Sequence, residues 1–115
     1  GIDVIDCSSR GLGPRGTLAT ATQSEGFQVP FAESVRAETQ ATTMAVGLIR
    51  TAAFANSVIE NGRADFVAIA REALFNPNWP LHAALELDHD PGYTQWPPSY
   101  GWWLSRRART APAVR

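Results

Sequence analysis

Three short apolar runs, Ile2 to Ile5, Thr42 to Val46 and Phe66 to Ile69, alternate with segments of helical periodicity, and this alternation constrains the fold most. Strands that alternate with helices pair in parallel, because each helix carries the chain back to the starting end of the sheet. A parallel sheet needs helices on both faces, and an open sheet of three strands leaves two apolar edges for other chains to pair with. The sequence therefore reads as part of a larger α/β unit. It begins at Gly1 without an initiator Met and runs almost at once into Ile2-Asp3-Val4-Ile5-Asp6, so a start inside a domain is expected.

The ends of the strands carry the chemistry. The second and third runs are expected to be buried parallel strands that finish at Gly47 and Arg71, a bare backbone and a cation. In a (β/α)8 barrel the loops after the last two strands commonly build a phosphate site, where main-chain N–H groups and an Arg converge at the C-terminal face. The first run ends in Asp6-Cys7-Ser8-Ser9, small polar residues where barrel strands deliver ligand-facing groups.

Arg10 to Gly26 has no apolar period and reads as a long loop on that active face. Pro30 suits the first turn of a helix, and Phe31 with Val35 gives it an apolar pair down to about Glu38. Thr51 can cap a second helix through Asn61, with Phe54, Val58 and Ile59 on its apolar face and Asn61-Gly62 as its stop. A short helix is predicted over Arg71 to Phe75, halted by Asn76-Pro77, and an amphipathic one over Pro80 to Leu87. Beyond Asp88 the prolines interleave with Tyr93, Trp96, Tyr100, Trp102 and Trp103. The expected division is thus residues 1–87 as βα units and 88–115 as an irregular aromatic and Pro-rich tail, which should pack on the barrel or on another subunit.

The bulk composition narrows the partners. A net charge of -1 gives no electrostatic reason to expect nucleic acid or an anionic membrane, which need a concentrated basic surface. The longest apolar run falls far short of the roughly 20 residues that span a bilayer, and the single Cys cannot form an internal disulfide. A soluble, cytoplasmic protein is the expectation.

Each candidate residue also has a plainer reading. Gly47 suits a strand-end turn with positive φ whatever it binds, and the two roles are compatible. Arg71 could pair on the surface with Glu72 or Asp65, while Ser8 and Ser9 could simply be solvated. Cys7 has no cationic neighbour in sequence and reads as an inert packed thiol. His82 and His89 have no second ligand at metal spacing, so no metal is expected. Arg106, Arg107 and Arg109 read as a solvated end.

Taken in order, Ile2 to Ser9, Gly26-Phe27-Gln28-Val29-Pro30-Phe31-Ala32-Glu33, Ala45-Val46-Gly47-Leu48-Ile49, Gly62 to Leu74 and the pairs Asn76-Pro77 and Trp79-Pro80 resemble the C-terminal third of the old yellow enzyme family. The similarity is greatest to its bacterial, xenobiotic-reductase-like branch of NAD(P)H:flavin oxidoreductases. The resemblance implies the C-terminal portion of a (β/α)8 TIM barrel, about three βα units plus the tail. It further implies non-covalent FMN, reduced by NADPH or NADH, which passes hydride to the β-carbon of an activated alkene. In that family the FMN phosphate rests on the backbone after strand seven and on a Gly-Arg pair after strand eight, which fall here on Gly47 and on Ala70-Arg71. Ala70 replaces the commoner Gly; it keeps its N–H and loses only conformational freedom.

The family's redox-tuning Cys or Thr, flavin-contacting Gln, substrate-gripping His pair, acidic Tyr and Arg beside the flavin all belong to earlier strands. The segment thus carries half of a cofactor site and no catalytic residue. In the branch's dimers the tail reaches a neighbouring active site, often through an Arg two residues after a Tyr, which implies a homo-oligomer through the tail; here Trp102 stands in place of that Arg after Tyr100. Two further readings stand beside this one: a segment of another phosphate-binding barrel, such as a biosynthetic isomerase or a dihydroorotate-dehydrogenase-like enzyme, and a non-catalytic interaction fragment.

Overall fold

The computed structural model describes residues 1–8 and 24–110, which form two compact units, Gly1–Pro77 and Asn78–Arg115. The first holds β1 (Ile5–Cys7), α1 (Val29–Thr39), β2 (Thr43–Ala45), α2 (Ala52–Glu60), β3 (Phe66–Val67) and α3 (Arg71–Phe75). The second holds α4 (Trp79–Glu86) and α5 (Pro98–Thr110). The architecture is α/β, with a small sheet in the order β1-β2-β3 and both pairings parallel. Ile5 stands beside Thr43 and Cys7 beside Ala45, while Ala45 faces Val67 on the other side.

Two expectations about the strands need correction. The first strand is Ile5–Cys7 and not Ile2–Ile5, because pairing starts where the Ile5 N–H reaches the Thr42 carbonyl, 2.9 Å away. The outer strands are also less buried than their apolar residues suggest. Thr43 and Ala45 of β2 are fully covered, but Phe66 of β3 is 52 % exposed and Ile5 of β1 is only half-buried. A central strand has neighbours on both sides; an edge strand does not.

Helix α1 packs on β1 and β2, and α2 packs on β3. The face that α1 buries is Val29 and Ala32, not the expected Phe31, which is 47 % exposed. The ends of helix α2 follow their sequence signals, but its buried face is Ala52, Ala55 and Val58, and Ile59, expected there, is 40 % exposed. The Thr51 hydroxyl accepts from the Phe54 N–H at 3.3 Å, a cap that contributes about 1 kcal/mol, and Gly62, at φ 65°, takes the left-handed turn after Asn61. Val58 is its fully buried anchor.

One carboxylate fastens three elements of this unit together. Asp65, just before β3, accepts from the Thr43 N–H of β2 at 2.9 Å and from Arg36 Nε of α1 at 3.2 Å to both of its oxygens. Arg36 also donates through Nη1 to the Gly62 carbonyl at 3.0 Å. The Thr43 N–H, and after it the bond and charge of Arg36, outweigh partial burial and hold the Asp65 carboxyl below its ordinary pKa.

In the second unit α4 groups with the tail and not with the βα units. Buried Asp90 explains the grouping: Oδ1 accepts from the Thr94 N–H and hydroxyl, both at 2.7 Å, and Oδ2 from the Gln95 N–H at 3.0 Å. The turn so fixed carries buried Trp96, whose ring meets His82 of α4 edge-on with centroids 5.1 Å apart.

The tail expected to be irregular carries a helix over Pro98–Thr110. Pro98 opens α5, where a fixed φ and a missing N–H cost least. Gly101 is buried because a Cβ there would lie 2.5 Å from the Tyr93 carbonyl oxygen. One turn apart on this helix, the Arg106 guanidinium stacks 3.8 Å above the Trp102 ring.

Candidate functional site

The parallel sheet aims the C-terminal ends of all its strands the same way, and the residues just past those ends line one open hollow of about 670 Å³. Ser8 comes after β1, Gly47 after β2, and Ala70 with Arg71 after β3. All the residues singled out as cofactor contacts therefore share one concavity, joined there by Gln28, Leu48 and Arg50. Ser9, the other polar candidate after β1, lies outside the described residues.

Gly47 is required by its backbone. Its φ is 113°, and a Cβ would come within 3.0 Å of the Gln28 nitrogen. Leu48 comes next at φ 55°, a left-handed position that a branched apolar residue seldom takes. A leucine held in that region persists only when its surroundings over-determine it. Here the Gly26 N–H donates to the Gly47 carbonyl at 2.7 Å, and buried Gln28 packs against the same glycine.

Arg71 opens α3 and is exposed at the rim of the hollow. The plainer reading gave it Asp65 or Glu72 as partner, but Asp65 is engaged by Arg36, and Arg71 forms no ion pair with a described residue. Its charge is thus available to a ligand. Cys7 is buried, and burial, with the neighbouring Asp6 charge second, pushes its thiol pKa up. A protonated, covered thiol is a poor nucleophile, as the inert reading requires.

Reasoning from sequence missed Glu25. Its Oε1 accepts from the Arg50 and Thr51 N–H groups, both at 2.8 Å, and from the Thr51 hydroxyl at 3.1 Å. Burial raises its pKa, but the bonds from Thr51 and Arg50, with the Arg50 charge, outweigh it and leave the carboxyl below its ordinary value. The contact joins residues 25 positions apart or more, so no local pattern announces it.

The second unit has its own aromatic hollow of about 310 Å³, lined by Asn78, Trp96, Tyr100, Trp103 and Leu104. The buried Trp96 Nε1 has no hydrogen-bond partner among the described residues.

No family model matches the chain. It is similar to the NADPH dehydrogenase of Halalkalibacterium halodurans, 48 % identical over 87 residues that make up 76 % of this chain and 25 % of that protein. The NADPH dehydrogenase of a Geobacillus species is also 48 % identical over 87 residues, 76 % of this chain and 24 % of the relative. That of Bacillus subtilis is 40 % identical over 88 residues, again 76 % of this chain and 25 % of the relative. The chain spans about a quarter of the length of the curated relatives it matches. Identity of this degree over so long a stretch reflects common descent. Over the matched residues the chain is thus similar to proteins named NADPH dehydrogenase, of the old yellow enzyme family, as a C-terminal segment of such a protein would be.

Proposed function

We propose that this chain is the C-terminal segment of an FMN-dependent NAD(P)H oxidoreductase with a (β/α)8 barrel, and that it contributes the FMN phosphate site. The observation that carries this reading is the convergence of Ser8, Gly47, Ala70 and Arg71 at the ends of three parallel strands around one hollow. The donor set fits a phosphate monoester. Gly47 lets the backbone approach closely, Ala70 and Arg71 offer N–H groups, Ser8 offers a hydroxyl, and the Arg71 guanidinium supplies charge in a planar fork. Glu72 also lines the hollow, so the anion is expected on the Gly47–Arg71 side.

The relatives' name supports NADPH as the reductant of the intact protein, with NADH the other nicotinamide donor of the family. When bound, the flavin supplies the redox chemistry, accepting hydride from the nicotinamide and passing it to the β-carbon of an activated alkene. The residues of this segment hold and orient; the groups that contact the flavin ring and the substrate belong to other strands in the family pattern.

The test is direct. The intact protein, purified without added cofactor, should be yellow and bleach anaerobically on addition of NADPH. Denaturation should release FMN identifiable by mass. A colourless protein that takes up no FMN on reconstitution overturns the reading.

A further inference from the structure

Glu25 stands outside the donor set yet grips the loop that carries Gly47. The loop leaves β2 at Ala45, whose position the sheet fixes, and enters α2 at Ala52. Between them lie Gly47 and Leu48, both at positive φ, with the Gly47 carbonyl tied to Gly26. Glu25 secures the far end, with one carboxylate oxygen on two successive backbone N–H groups and a hydroxyl. The strained pair is thereby held between two anchors, one from the sheet and one from a side chain.

We propose that Glu25 is a positioning residue for the phosphate-binding loop: by fastening Arg50 and Thr51 it holds the Gly47 and Leu48 backbone in the conformation that receives the anion. This role rests on the phosphate site proposed for Gly47 and Arg71. The carboxylate also occupies the N–H groups at the start of α2, so the anion is directed to Gly47 and Arg71. Its own negative charge disfavours an anion beside it. Glu25 touches no reacting group; its effect passes through backbone geometry.

The test compares FMN with riboflavin, which has the same ring system and no phosphate, by fluorescence titration of the apo form of the intact protein. Glu25→Ala should weaken FMN binding about tenfold, the order expected when charge-assisted bonds that hold a binding loop are lost, and leave riboflavin binding unchanged. Glu25→Gln, which keeps an oxygen acceptor on the same length of side chain, should stay within about threefold of the native protein for both ligands. If Glu25→Ala does not fold, Glu25→Asp retracts the carboxylate by one methylene and should show the same selective loss. A merely structural role would weaken both ligands together, and that outcome overturns the proposal, as does native FMN affinity in both Glu25→Ala and Glu25→Asp. A native protein that binds FMN no better than riboflavin would instead remove the phosphate site itself, and the role of Glu25 with it.

Discussion

Arg71 is the residue whose surroundings say most about its use. It lines the hollow beside Gly47, while the nearest plausible carboxylate in sequence is taken: Asp65 is bound by Arg36, as Glu33 is by Arg63 at 2.9 Å. A cation with no ion-pair partner among the described residues, at the rim of a backbone-lined hollow, is suited to an anionic ligand. In the intact protein Arg71→Ala should weaken FMN affinity by about one to two decades without lowering the melting temperature, and Arg71→Glu should be worse because it opposes like charges. Lys should restore part of the loss, since it supplies the charge but not the fork. Titration of apo-protein by flavin fluorescence reads the effect, and a native dissociation constant in Arg71→Ala would return Arg71 to a surface role. Gly47 and Arg71 were legible in the sequence because strand ends announce themselves locally. Glu25 was not, since its partners sit 25 and 26 residues away and nothing near it marks an acceptor.

At the level of elements, what could be read depended on the same distinction. Helix α2 was legible at both ends because Thr51 and Asn61-Gly62 act within one turn of themselves. Helix α5 was hidden by the prolines interleaved with its aromatics; yet Pro98 is in the first turn, and Gly101 is demanded by a carbonyl from the preceding loop. Helix α5 leaves its aromatics uncovered among the described residues, Tyr100 at 62 % and Trp103 at 66 % exposed. The joint between α1, β2 and β3 is electrostatic and so depends on pH. The Asp65 pKa is lower folded than unfolded, so its contribution is complete above the ordinary carboxylate value of about 4 and is lost as pH falls through the lowered one. Asp65→Asn in the intact protein should therefore melt below the native protein near neutral pH, with the gap closing in acid. A gap of constant size across that range would show that the charge of Asp65 is irrelevant to the joint.

For the molecule as a whole, the decisive fact is a parallel sheet with two edges and incomplete cover. Strands β1 and β3 each pair on one side alone among the described residues, and Ile2, Val4 and Phe66 are 83 %, 40 % and 52 % exposed. Leu74 and Phe75 of α3, each 84 % exposed, add to the uncovered apolar surface. Closing a sheet into a barrel removes such edges and buries such side chains, whereas an open parallel sheet offers them to other chains. On the reading proposed above the chain would also carry only half of a cofactor site, and a phosphate held without contacts to the ring system forfeits most of the affinity of the whole ligand. The 115-residue chain made alone should therefore elute from gel filtration as aggregate or expanded species and retain no FMN. The intact protein, with the remaining strands in place, should elute as a compact species with flavin bound. A monodisperse, yellow monomer of the isolated chain that melts cooperatively would mean that the isolated chain, with three strands and five helices among the described residues, suffices, and the barrel reading would fall with that result.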